Sequence, residues 1–180
     1  MRVGAASGVM LLSLAILPRL HAEPGRPDPD ALMKHGLELR RQRRDAEALS
    51  EFRQAYAVIA TPRTLAQIAL AEQALGRWAD AEADLQKALE AKSDAWVGRN
   101  RSALEGGLAS IQGHLGTLEV EADASGAELW LNGSRVGKVP LDAPLRVEAG
   151  SAVVEVRAPG YAPVRRIIDV EPGEVAHEAV

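Results

Sequence analysis

Cysteine is absent from the 180 residues, so disulfides, thiol nucleophiles and thiolate metal sites are all excluded. Aromatic residues are scarce, with one Phe, two Tyr and three Trp, so any core must be filled chiefly by Ala, Val and Leu. No apolar run reaches the roughly 20 residues that a membrane-spanning helix needs. Charge is nearly balanced, with 21 basic and 25 acidic residues, which argues against general nucleic-acid binding. The 47% hydrophobic content nevertheless describes a folded chain.

What is present begins with an address. Arg2 and the apolar stretch Val9 to Leu17, followed by Leu20-His21-Ala22, read as a signal peptide over residues 1–22, with an uncleaved anchor as the alternative. Its removal leaves 19 basic against 25 acidic residues, a net charge of −6. The processed chain is then expected to be exported, periplasmic or extracellular, and not an integral membrane protein. Residues 23–29 form a Pro-rich leader, with Asp28 a helix cap and Pro29 at the first helical position.

An internal echo follows. Gly36, Ala48, Phe52 and Ala55 recur 33 residues later as Ala69, Ala81, Leu85 and Ala88. Around them Leu37, Leu39, Leu49 and Tyr56, then Leu65, Ile68 and Leu89, keep the three-and-four spacing of an apolar helix stripe. Polar breaks at 41–45 and at Gly76-Arg77 divide each copy into two helices, with Gly76 placed to end a helix in the left-handed region. Two such hairpins cannot bury their apolar faces alone and must stack. Ser93-Asp94 then starts a further helix of some twenty residues, which covers the open end of the second hairpin.

These residues resemble a tetratricopeptide repeat pair, met by Gly36, Ala48, Phe52 and Ala55 and more loosely in the second copy, where Glu72 stands at a usual aromatic position and Leu85 replaces Phe. Unrelated antiparallel hairpins are the alternative. The resemblance implies a concave groove lined by the first helix of each hairpin. Its candidates are Met33, Leu37, Arg40 and Arg41 from one copy, and Arg63, Ala66, Leu70 and Gln73 from the next. Part apolar and part basic, that surface suits an extended peptide or protein partner carrying a carboxylate. The Arg40 to Arg44 cluster also reads as a solvated helix end offsetting the dipole.

After Gly116 the period changes from 3.6 to 2. Alternation at 118–121 and 127–132, the hairpin signal Asn132-Gly133, and further runs at 145–148, 152–157 and 165–170 predict a small antiparallel sandwich or barrel. The run Gly126 to Gly133, Gly137-Lys138-Val139-Pro140-Leu141, Ala149-Gly150 and Gly160-Tyr161 resembles a PEGA domain, the small β module of exported bacterial proteins. Ser125 departs from the name-giving run, and the chain stops near where a last strand should finish, as a short or a cut member would.

The expected fold is therefore α+β and multidomain: a helical domain over 30–115 and a β domain over 117–180. His35, His114 and His177 fall on separate segments, and no nucleophile elbow or phosphate loop is present. The residues thus suggest no catalytic, cofactor or metal site, and the expectation is a non-catalytic adaptor of the cell envelope. The alternative is a cell-wall or carbohydrate binder in which Trp130 and Tyr161 stack on sugar and the helices act as spacer.

Overall fold

The computed structural model describes residues 27–180; the signal peptide expected at 1–22 and most of the expected leader lie outside the described residues. Five helices come first: α1 Pro29–Arg41, α2 Asp45–Val58, α3 Pro62–Ala74, α4 Trp78–Leu89 and α5 Ala95–Gln112. Seven strands follow: β1 Leu115–Glu121, β2 Glu128–Leu131, β3 Ser134–Lys138, β4 Leu145–Glu148, β5 Gly150–Arg157, β6 Val164–Val170 and β7 Val175–Ala179. The α+β architecture is as expected.

The repeat is written in the backbone as well as in the core. Asp28, Thr61 and Asp94, each 33 residues after the last, cap α1, α3 and α5 by accepting from backbone N–H groups two or three residues on, at 2.9–3.1 Å. Arg43 and Gly76, also 33 apart, both take positive φ, 59° and 72°, as the chain leaves α1 and α3. The final helix is therefore in phase with the first helices of the two hairpins. It stands in the phase of an opening helix, and it packs on α4.

Small residues set the spacing. Ala48, Ala69, Ala81 and Ala88 are fully buried, and Phe52 and Leu85 fill the space between them. Gly36 lies against the Phe52 ring: a Cβ there would stand 2.5 Å from Cε1.

The strands form two sheets, β4-β1-β7 and β3-β2-β5-β6. Asn132 and Gly133, at φ 48° and 84°, make the two-residue β2–β3 turn that their identity signals. Leu118, Val120 and Val147 face Leu129, Val154, Val156 and Val170 across the shared core. One pairing departs from the all-antiparallel expectation: β7 runs parallel to β1, Thr117 opposite Val175. The reason is topological, because β6 lies in the other sheet and the turn at Pro172-Gly173 carries the chain across to the free side of β1.

The halves meet without an intervening segment. Leu115, the first residue of β1, is fully buried in the helical core. Next to it, a Cβ on Gly116 would collide with the Val170 side chain and stand 2.6 Å from the Glu171 carbonyl oxygen. Arg146 of β4 donates from Nε and Nη2 to the two carboxylate oxygens of Glu82 on α4, at 2.8 and 3.1 Å, and from Nη1 to Thr117 at 3.0 Å. The Trp78 and His114 rings stack at 3.8 Å and 12°.

Candidate functional site

The groove candidates follow from where α1, α3 and α5 sit. Capped in phase, these helices share a side of the stack, and two cationic side chains join them there. Arg40 on α1 donates to Asp45 of α2 and, from Nη1, to Gln67 of α3, both at 3.4 Å. Arg63 on α3 lies over the Trp96 ring of α5, 6.0 Å from its centroid. Leu70 packs towards Gly107 of α5, 3.8 Å from where a Cβ would stand. Leu37 and Gln73 are half-buried, Arg41 is exposed and paired with Glu38 at 3.4 Å, and Met33 and Ala66 are buried in the core. Arg41 and Arg63 are thus the candidate cations left on the surface, with Arg40 spent on joining helices. Trp96 belongs to this surface through Arg63; its place was legible only from the phase of Asp94.

A second polar cluster ties α2, α3 and α4. Glu72, 1% exposed, accepts from Arg53 Nη2 at 2.7 Å through one oxygen, and its other oxygen has no partner. Burial, with Asp80 and Asp84 close by, holds the Glu72 carboxyl above its ordinary range. Burial likewise raises Asp84, against the opposing pull of Arg53 and Lys87. This is the position where the resemblance to tetratricopeptide repeats gave the expectation of an aromatic ring. Here a salt bridge between hairpins replaces ring packing.

On the β module, Arg157 lies 4.1 Å above the Trp130 ring and is itself held by Glu155 at 2.6 Å. The indole Nε1 beneath is buried without a partner. Tyr161, 73% exposed, lies elsewhere, on the β5–β6 hairpin beside a 300 Å³ cleft floored by Val156, Ala158 and Val164. Trp130 does not line that cleft, so the two rings do not share one platform.

His35 faces Glu51 at 3.3 Å, and His177 faces Glu119 at 3.1 Å. Among the described residues no group of His, Asp and Glu is placed to hold a metal ion, and no described helix is long and apolar enough to cross a membrane.

Comparison with curated proteins and with solved structures gives no match. No tetratricopeptide family model matches the five helices, which could form a helical-repeat region. The match falls on the strands: residues 115–178, from the first residue of β1 to the last residue but one of β7, match the family model of the PEGA domain.

Proposed function

We propose that the chain is a non-catalytic adaptor of exported type, whose α1, α3 and α5 surface takes a peptide or protein partner carrying carboxylates. The observation that supports this is the joining of three in-phase first helices: Arg40 reaches Gln67, and Arg63 reaches Trp96. A continuous face with exposed cations and half-buried leucines gives an extended acidic segment both anchor and charge. The β module fits an exported setting, since PEGA domains are typical of exported proteins.

The test is a fluorescence titration, read through the tryptophans, with extended peptides ending in acidic residues. Arg41→Glu combined with Arg63→Glu should weaken binding about tenfold or more, because each reversal replaces attraction by repulsion. Equal binding by the wild type and the double variant would remove the groove from the proposal. Both side chains are exposed, and losing the Arg63 contact with Trp96 should cost no more than about 1 kcal/mol, so melting of the variant should stay within a few degrees of the wild type.

A further inference from the structure

The β module is electrically two-faced. Residues 115–180 hold six Lys and Arg against eleven Asp and Glu, yet four of the six cations share the outer face of the β3-β2-β5-β6 sheet. Strand register places Arg135, Trp130, Glu155 and Arg165 in one row across that sheet, with Lys138, Glu128 and Arg157 in the row beside it. A third row pairs Val153 with Ile167, which is 73% exposed. Arg135 pairs with Glu128 and Arg157 with Glu155, whereas Lys138 and Arg165 make no ion pair among the described residues. The two remaining cations are engaged elsewhere, Arg146 by Glu82 and Arg166 by Glu178.

The other sheet is left with carboxylates. Away from the helices, Glu119, Glu121 and Asp142 border a 220 Å³ cleft whose floor includes Pro140 and Leu141. Glu121 and Asp123 border an adjoining cleft of 340 Å³. His177 lies there too, its Nδ1 3.1 Å from the Glu119 carboxylate.

We propose that these surfaces are complementary halves of one contact: the Arg165–Ile167 face of one molecule docks on the Glu121–Asp142 rim of a second copy. A uniform polyanion would meet Glu128 and Glu155 as well as the cations. A protein surface with separated carboxylates around an apolar floor matches the mosaic, and this chain carries such a surface. Ile167 enters the Leu141 side of the cleft while Arg165 and Lys138 meet its carboxylates. The two surfaces lie on opposite sheets, so one contact cannot satisfy both on the same pair of molecules. The contact is head to tail and extends the assembly with each copy added.

The face is only four strands wide, so association is weak and salt-sensitive. Sedimentation velocity of the full chain should show a coefficient that rises with concentration, up to roughly 500 µM at low salt, and stays monomeric near 0.5 M salt. Arg165→Glu and Glu121→Lys should each weaken association about tenfold, and an equimolar mixture of the two should recover it, because each variant keeps the surface that the other has lost and the two reversed charges also meet each other. Circular dichroism of each variant checks that the fold is kept. A wild-type chain that is monomeric throughout overturns the proposal. So does association indifferent to both reversals, or a mixture no better than its parts.

Discussion

At position 36 the Phe52 ring leaves room for a hydrogen and nothing larger. Gly36→Ala should therefore destabilise the helical half by about 2 kcal/mol, since neither the buried ring nor the helix backbone can give way cheaply. Chemical denaturation measures this, and an unchanged midpoint would show that the hairpin tolerates a wider seam. Arg43 presents the opposite case. It holds φ at 59° where its counterpart 33 residues on is Gly76. Arg43→Gly relieves the Cβ crowding of the left-handed region, offset in part by the greater freedom of glycine in the unfolded chain. The net gain should be about 0.5 kcal/mol in the same denaturation experiment. The identity of residue 76 announces its conformation in the sequence; that of residue 43 conceals it, because an arginine there is affordable only through the surrounding structure.

Among elements, the α2, α3 and α4 joint carries the pH dependence. Three carboxylates, Glu72, Asp80 and Asp84, face Arg53 and Lys87. Burial first of all raises Glu72 above its ordinary 4.5, so the folded state favours the proton. That contribution is complete below 4.5 and is lost as pH rises through the raised value. Thermal melting followed from about pH 4 to pH 7 should show a decline that Glu72→Gln flattens by a few degrees; an equally steep variant would place the dependence elsewhere. The hairpins themselves are legible from the sequence because close packing restricts Gly36, Ala48, Ala69 and Ala81 to small residues. The phase of α5 is legible too, but in its cap at Asp94 and not in its apolar pattern, since an end helix is half-covered and keeps less of the stripe. Alternation is clear in the runs of β1 and β2, and β4, β5 and β6 also fall in runs read from the sequence, whereas β3 is signalled only by the Asn132-Gly133 turn before it. In β7, Val175-Ala176-His177-Glu178 follows no such rule, because a half-exposed edge strand asks little of its side chains. Arg63 over Trp96 joins residues on different repeats, and neither residue alone signals the other.

Over the whole molecule, the Arg146–Glu82 pair decides whether the halves unfold together. Glu82 is 5% exposed, and removing its partner strands a charge in the interface. Arg146→Met should cost about 2 kcal/mol, less than a fully enclosed pair would because the guanidinium is partly solvated. In calorimetry the wild type should melt in one transition near its midpoint, and the variant should fall by about 6 °C and broaden or split. A single transition at the wild-type temperature would mean that the ring stack and Leu115 suffice. The partners stand 64 positions apart, which explains why the pair is invisible in the sequence: opposite charges are common, and only the fold selects which two meet.

Leu115 has a last consequence. Since one residue closes the helical core and opens the first strand, a partner held by the helices and another held by the sheets would sit at a fixed span and bearing. Their local concentration for one another would be set by geometry and not by chain statistics. Gly-Ser residues spliced in ahead of Leu115 would turn that ruler into a leash, and bivalent avidity should fall even if each single affinity were kept.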